Sequence, residues 1–486
     1  MLFVLIAYLS SSCQKDQISP ANQEVAFVKY YGHVGDQTAT DVIPTSDGGY
    51  VLLGSTNSYS AREEMDILVV KTDSLGNELW SSAFGRTEGE VDPDFRYLRF
   101  SEEGIRIIEL PDQSAYVLAA NRTYYDYPSA SSEGPVGESK TKIVLYQLDY
   151  ATGAPTSTSG IELMTTGTNS PFTEKVSDMK LDTAGGGVKF ILTGYTKNIK
   201  PNKPDDDYSG FFDEKDVFTV LLNADFSIDP SWLNFVYGFA GSDYGTSVQI
   251  TSEGYLICGI SDFDHSATGQ AADYVPSILV VLIQKSGGTP LNEKEYALKE
   301  YHFGGGYSVF DADNNKLTIA VNVDNALGAN AEKGNVGLFQ IQLSSINFTV
   351  VTPNSTDGIG CQYYDLGDIN GSTGKEHLVE SIALLPGDEG FILSTTQKSS
   401  LFESDICIAK FDRNLNVEEG WPYYFGYSDK SSLVLTNDKA GSVIPIISGT
   451  GNQINISGYA FTGRFGLGTN EMMGLVKLNL NGTLTP

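Results

Sequence analysis

Ser46-Asp47-Gly48-Gly49-Tyr50-Val51-Leu52-Leu53-Gly54, then Asp66-Ile67-Leu68-Val69-Val70-Lys71-Thr72-Asp73-Ser74-Leu75-Gly76-Asn77 and Trp80, is the stretch that decides the fold. Each apolar run has the length of a strand and stops at a turn built from Gly, Asp, Asn and Ser. With Val42-Ile43 before it and the segment through Phe84-Gly85 after it, residues 40–85 read as four short strands joined by turns, which is one antiparallel sheet.

Working outward, the position of Gly54 recurs as Ala120, Gly194, Gly259, Val321, Thr395 and Gly458, at separations between 62 and 74 residues. A unit repeated at such a period cannot bury its apolar face alone and must stack on its neighbours. The chain has 3 tryptophans, and Trp80, Trp232 and Trp421 each fall just after the second hairpin turn of a unit whose strand opens at Asp66, Asp216 or Asp405. That coincidence fixes the register of the repeats.

Seven units of four strands predict an all-β chain folded as a seven-bladed β-propeller of antiparallel blades. The last unit stops at Lys477-Leu478-Asn479-Leu480-Asn481-Gly482 and lacks a final strand, while Val25 to Gly32 resembles a final strand standing before the first unit. The expectation is that the N-terminal strand completes the last blade, pairing with Leu475 to Asn481, so that no sheet edge stays open. Blade boundaries are expected near Gly85, Leu163, Gly238, Gly304 and Gly426, with blade five the least regular.

The motif Asp47-Gly48-Gly49-Tyr50, Gly54-Ser55-Thr56, Asp66-Ile67, Lys71 to Asn77 and Trp80 resembles the propeller repeats of secreted and lipid-anchored Bacteroidota proteins. The resemblance implies export. These residues serve turns and packing between sheets, and they carry no chemistry of their own.

Met1 to Leu9 is apolar but too short to span a bilayer, and it leads through Ser10-Ser11-Ser12 to Cys13. This resembles a bacterial lipoprotein signal, which implies lipidation at Cys13 and attachment to the outer membrane, at the cell surface where the polar Gln14-Lys15-Asp16 matches exported lipoproteins. The expected organisation is a signal over 1–13, a tether over 14–24 and one propeller domain over 25–486. The other cysteines, Cys258, Cys361 and Cys407, show no metal spacing and no disulfide framework.

The 486 residues carry 31 Lys+Arg against 61 Asp+Glu, a formal charge of -30. That field repels nucleic-acid phosphates and anionic lipid, so no nucleic-acid partner is expected and membrane attachment is by lipid anchor alone. The 19% of charged residues and the 27 tyrosines and 24 phenylalanines argue against disorder.

Short hairpins such as Ser46 to Gly49 and Ser74 to Asn77 alternate with long connections, and strand alternation puts the long ones on one face. Candidate contacts there for a protein partner or glycan are Phe95, Tyr97, Tyr124, Tyr125, Tyr127, Tyr208, Phe211, Phe212, Tyr363 and Tyr364. Asp205, Asp207, Ser209, Asp213 and Asp216 stand at positions 1, 3, 5, 9 and 12 around Gly210, the spacing of a calcium loop, although Asp216 also has the structural role of a strand opener. Asp311 to Asn315 repeats that look at a hairpin turn. Calcium is the one cofactor the sequence suggests.

His33, His265, His302 and His377 are far apart, and no nucleophile or phosphate-loop motif is present, so no catalytic residue is assigned. The leading reading is a non-enzymatic surface or outer-membrane lipoprotein that binds a protein partner or glycan through its loop-rich face. The alternatives are a polysaccharide-acting enzyme, glycosidase or lyase, with carboxylates converging in the central channel, and a structural subunit of an outer-membrane complex.

Overall fold

The computed structural model describes residues 25–484 apart from 59–63, 86–96, 128–139, 164–172, 198–214, 233–234, 238–241, 262–275, 297–300, 326–334, 345–346, 353–359, 369–374, 401–402, 427–436, 449–453 and 468–469. The described chain is all-β and forms seven antiparallel sheets in a seven-bladed propeller. The N-terminal strand β1 (Phe27–Tyr31) precedes blade one, which is β2 (Gln37–Pro44), β3 (Tyr50–Thr56), β4 (Asp66–Thr72) and β5 (Glu78–Phe84). Blade two is β6 (Tyr97–Glu109), β7 (Ala115–Tyr127), β8 (Lys140–Asp149) and β9 (Ile161–Glu162). Blade three is β10 (Glu174–Asp182), β11 (Lys189–Lys197), β12 (Lys215–Asn223) and β13 (Phe235–Tyr237). Blade four is β14 (Asp243–Ile250), β15 (Gly254–Ser261), β16 (Ser277–Gln284) and β17 (Pro290–Tyr296). Blade five is β18 (Tyr301–Asp311), β19 (Lys316–Asn325), β20 (Asn335–Leu343) and β21 (Phe348–Val350), with β22 (Cys361–Tyr364) as a second partner of β20. Blade six is β23 (Glu376–Leu384), β24 (Phe391–Ser400), β25 (Glu403–Phe411) and β26 (Tyr423–Phe425). Blade seven is β27 (Lys439–Ser448), β28 (Asn455–Leu467) and β29 (Asn470–Leu478), completed by β1.

Burial follows position within the blade. The second and third strands are packed on both faces, so β3 is buried throughout and β4 from its second residue. They read as continuous apolar runs rather than alternating ones. The outer strands β5 and β17 are largely exposed, as solvent on one side requires. The core is accordingly a ring of layers between blades: Val51, Leu53 and Val69 meet Tyr116, Leu118 and Val144, and Leu52, Leu68 and Val70 meet Ala460, Met473 and Leu475.

Closure occurs as the sequence anticipates, with the register moved two residues toward the start of β29. Phe27 pairs with Lys477 and Tyr31 with Met473. Tyr31 is buried, and its hydroxyl donates to the Gly76 carbonyl of blade one at 2.8 Å. Two sequence assignments need correcting. Gly304 lies inside β18 and begins blade five rather than ending blade four, whose outer strand is β17. In blade seven the equivalent of Gly54 is Gly463, not Gly458: Gly54 pairs with Ala39 and Gly463 with Ala440, each just before a bulge in the inner strand. An additional irregularity at Ile446/Ile447 offsets the numbering there.

The repeat motif has a physical basis at the seams. Trp80 packs against Tyr116, Trp232 against Tyr255 and Trp421 against Tyr459, at ring separations of 6.1, 5.7 and 5.6 Å, so each tryptophan reaches the next blade. The same rings lie over Gly153, Gly288 and Gly482, which sit in the next blade's outer hairpin at positive φ; added Cβ atoms would stand 2.3, 3.2 and 2.6 Å from them. At the closing seam Phe27 takes the tryptophan's place over Gly76. The aspartates at the start of the third strand have a partner glycine too, because the carboxylates of Asp66, first in β4, and Asp405, third in β25, fill the space where Cβ atoms of Gly85 and Gly426 would be.

Candidate functional site: the central channel and its loop-face mouth

All seven inner strands carry a β-bulge at the same level, with register shifts at Ala39/Asp41, Gly104/Arg106, Val176/Asp178, Gly245/Ser247, Gly305/Tyr307, Val379/Ser381 and Ala440/Val443. A bulge leaves backbone groups without ladder partners, and something polar must satisfy them. In four blades the residue following the bulge does so for the next blade. Asp41 accepts from Ile107 N at 3.0 Å, Asp178 from Val248 N at 3.0 Å, Ser381 from Val443 N at 3.4 Å and Ser442 from Val42 N at 2.7 Å. Ser247 instead bonds Ser308 Oγ, and Asn322 serves Val379 N. The result is a polar waist around the channel.

Arg106 and Tyr307 project at this waist and line the cavities on both sides of it. Arg106 Nε donates to Asp178 Oδ1 at 2.8 Å, and Nη1 donates to its own strand at Ile105 O. Burial raises the Tyr307 hydroxyl above its ordinary range, reinforced by nearby Glu380 and opposed by Arg106.

On the short-hairpin side the channel opens into a cavity of about 640 Å³ lined by aliphatic residues of the inner strands, among them Ile43, Ile108, Leu181, Val309 and Ile444. On the loop-rich side lies a cavity of about 340 Å³ of different character. Its wall carries Glu103, Lys175, Tyr195, Tyr244, Glu380 and Lys439. Four of these, Glu103, Lys175, Tyr244 and Lys439, stand three residues before the waist residue of their own blades. The Lys215 ammonium lies 4.7 Å from the Tyr195 ring centre and 5.7 Å from that of Tyr244, which fixes both rings by cation–π attraction. Glu380 accepts from Thr396 Oγ1 at 3.1 Å, and burial holds its carboxyl above the ordinary range despite Lys439 nearby. The volume falls in the range of small-molecule sites.

The residues singled out from sequence are placed as follows. Tyr97, Tyr124, Tyr125 and Tyr127 lie on strands β6 and β7, which extend well beyond their expected ends. Tyr124 is half-buried, packs edge-on against Phe100 and donates its hydroxyl to Glu162. Tyr125 is half-buried as well. Tyr363 packs on the core of blades four and five, and Tyr364 lies edge-on to Phe411 with its hydroxyl donating to Leu415 O. Phe95, Tyr208, Phe211, Phe212 and Cys13 are outside the described residues, as are Asp205, Asp207, Ser209 and Asp213. Asp216 is the second residue of β12, opposite Thr196, so the strand opens one residue earlier than the sequence suggests. Asp311 caps its own turn through Asn314 and pairs with Arg413, an ordinary ion-paired hairpin.

His377 is buried with Nε2 against Gly367 O at 2.8 Å and Nδ1 against Thr395 Oγ1 at 2.9 Å, and burial lowers its pKa. Cys258, Cys361 and Cys407 are buried and in no disulfide, and burial pushes the Cys258 and Cys407 thiols up to about 12, which makes them inert. Among the described residues no group of three or more His, Cys, Asp and Glu is arranged to hold a metal ion.

No protein-family model matches the chain, and no curated protein does. Among solved structures, a chimera of apocarotenoid oxygenase and RPE65 is similar at 12% identity and a TM-score of 0.44, over 95% of this chain and 90% of that one. A puromycin-hydrolyzing peptidase of Mycobacterium tuberculosis matches at 12% identity and 0.40, over 89% of this chain and 50% of that one. A neuraminidase-like protein from A/bat/Guatemala/164/2009 matches at 12% identity and a TM-score of 0.38, over 79% of this chain and 92% of that one. Likeness at this level assigns no chemistry to the chain.

Proposed function

We propose that the chain is a non-enzymatic binding protein that takes a glycan through its loop-rich face, with a sugar unit seated in the channel mouth. The observation that supports this most is the composition of that mouth. Glu103, Lys175, Glu380 and Lys439 offer acceptors and donors around one cavity, beside the Tyr195 and Tyr244 rings. Sugar hydroxyls need paired donors and acceptors, and ring carbons need an apolar surface, so the two together suit a sugar better than a flat protein epitope. Tyr124 and Tyr364, by contrast, spend their hydroxyls within the fold. In keeping with the sequence, the protein is proposed to be lipid-anchored at Cys13 in the outer membrane.

Isothermal titration with neutral and acidic hexasaccharides is the test. Tyr195→Ala and Glu103→Gln are expected to weaken binding at least tenfold without changing thermal stability. Unchanged affinity in both variants would sink the assignment of the mouth.

A polysaccharide-acting enzyme is a second reading, favoured by two carboxylates, Glu103 and Glu380, on one cavity wall, with burial holding Glu380 toward its protonated form. Two carboxyl groups flanking the scissile bond are what glycoside cleavage requires. Release of reducing ends that Glu380→Gln abolishes would establish it. Binding without turnover in the parent protein would reject it.

A further inference from the structure

The mouth does not end at the channel. A second cavity of about 250 Å³ lies over blades six and seven and shares Glu380 and Lys439 with it. Its charged lining is Lys398, Lys439 and Arg464 against Glu380 and Glu403. The lining holds three cations to two carboxylates, and two of those cations are also paired from outside it, Lys398 with Glu376 and Arg464 with Glu471.

The three cations are incompletely satisfied. Lys439 Nζ is 3.9 Å from Glu380 Oε1, too long for a hydrogen bond, and its side chain is half-exposed. Arg464 pairs through Nη1 with Glu471 at 3.0 Å, but its Nε is buried and has no hydrogen-bond partner among the described residues. Lys398 meets Glu376 at 2.8 Å in a pair in which both side chains are more than 40% exposed, the kind that solvent weakens. Burial holds the Glu380 carboxyl above its ordinary range against the pull of all three cations. Unpaired buried donors are costly, and an incoming oxyanion would satisfy them with charge-assisted bonds.

We infer that this cavity is an anionic subsite, in which Lys398, Lys439 and Arg464 hold the oxyanion of an acidic sugar, a uronate carboxylate or a sulfate ester. It rests on the reading of the mouth as a glycan site, because Glu380 and Lys439 belong to both. The neighbouring sugar would then occupy the mouth beside Tyr195 and Tyr244. The specificity that follows is for acidic over neutral polysaccharide.

The experiment uses the protein labelled with 15N at arginine side chains, titrated separately with glucuronate, glucose 6-sulfate, inorganic sulfate and glucose. The expected result is a saturable shift of the Arg464 Nε–H signal with at least one acidic sugar and none with glucose. The relative response to glucuronate and glucose 6-sulfate identifies which oxyanion the cavity takes. Lys439→Ala should weaken that response about tenfold, and Arg464→Lys serves as a check that the cavity survives loss of the guanidinium. An Arg464 signal unmoved by either acidic sugar at tens of millimolar, or moved equally by glucose, overturns the subsite. If neutral hexasaccharides bind in a Tyr195-dependent way while Arg464 stays silent, the subsite fails and the glycan reading stands. If Arg464 responds to the acidic monosaccharides but no oligosaccharide binds, the subsite stands and the glycan reading fails.

Discussion

Replacing Asp178 with Asn removes one charge from the waist and leaves the shape almost unchanged. Asp178 Oδ1 accepts from Arg106 Nε at 2.8 Å and from its neighbour Met179 N at 3.0 Å, while Oδ2 accepts from Val248 N of blade four at 3.0 Å. The carboxylate is 3% exposed and the Arg106 side chain 20%. An amide keeps one acceptor oxygen and turns an NH2 toward a donor, so either Arg106 or Val248 N loses its partner. A hydrogen bond to a charged group contributes about 1.5–3 kcal/mol, and breaking a buried pair costs about 3–5 kcal/mol. The part-exposure of Arg106 argues for the lower end, about 3 kcal/mol. For 486 residues at about 2.1 cal/mol/K each, the unfolding entropy is about 1 kcal/mol/K, so the expected fall in Tm is about 3 °C. The assay is chemical denaturation of Asp178→Asn, Arg106→Gln and the double variant. Removing both partners should recover about 1–2 kcal/mol relative to the sum of the singles. A change below about 0.5 kcal/mol in Asp178→Asn, or strict additivity in the cycle, would refute the claim that the waist ties blades two, three and four together.

Deleting residues through Gly32 removes five ladder pairs and the buried Tyr31 from blade seven, and should lower stability by several kcal/mol; thermal unfolding identical to the intact chain would disprove closure. Gly76→Val places a side chain against Phe27 at positive φ, and should destabilise the closing seam more than Gly185→Val, where an added Cβ meets nothing within 4 Å. The Asp229 carboxyl is held down at about 2 by Lys189 Nζ at 2.6 Å and by Ser231. Because this folded value is below the unfolded one, the stabilisation is complete above about pH 4 and disappears as pH falls toward 2. Asp229→Asn should flatten the acid limb of stability over that interval, as followed by circular dichroism. If Asp205, Asp207 and Asp213 bind calcium, Tm should rise with free calcium in the parent and not in an Asp205→Ala, Asp207→Ala variant. For an anchored protein in vesicles, a lipid-borne quencher should reach a label at Ser74→Cys more strongly than one at Lys140→Cys; the reverse ranking would invert the proposed orientation.

The architecture was legible in the sequence because the second and third strands of each blade are buried on both faces and read as unbroken apolar runs. Tryptophan added the register, since Trp80, Trp232 and Trp421 occupy one position at three seams. The extended strands of blade two were not legible. Glu102, Glu103 and Arg122 look like loop residues, but Arg122 is 1% exposed, with Nε to Glu102 at 2.6 Å, Nη1 to Glu162 at 2.7 Å and Nη2 to Tyr146 at 2.8 Å. A satisfied guanidinium lets β6 and β7 carry charge where a strand normally excludes it. The waist and mouth were also hidden. Waist positions hold Asp41, Arg106, Asp178, Ser247, Tyr307, Ser381 and Ser442, which share a place after the bulge but no one residue type, and of these Asp41, Asp178, Ser381 and Ser442 accept a backbone N–H of the next blade. A bulge inserts one residue into the alternation, so equal positions in the seven inner strands do not line up on the apolar pattern alone. Aligning the seven inner strands on that bulge is the step that brings Glu103, Lys175, Tyr244 and Lys439 to one level.

The closing strand also relates the two ends of the channel to the proposed anchor. Phe27, the first residue of β1, lies over Gly76 in a short hairpin of blade one, so the chain enters the propeller on the short-hairpin face. The 11 residues from Gln14 to Glu24 reach about 35–40 Å at most when extended. A lipid on Cys13 would therefore keep the aliphatic end of the channel nearer the bilayer and turn the charged mouth with Tyr195, Lys439 and Arg464 outward. That arrangement suits the electrostatics. An anionic ligand approaching from the membrane side would meet the repulsion of a chain at -30, screened over about 8–10 Å in physiological salt. One that reaches the mouth meets Lys175, Lys439 and Arg464 at close range, well within a screening length. The same asymmetry makes salt a diagnostic: affinity carried by these few cations falls as ionic strength rises, whereas affinity carried by the tyrosine rings does not.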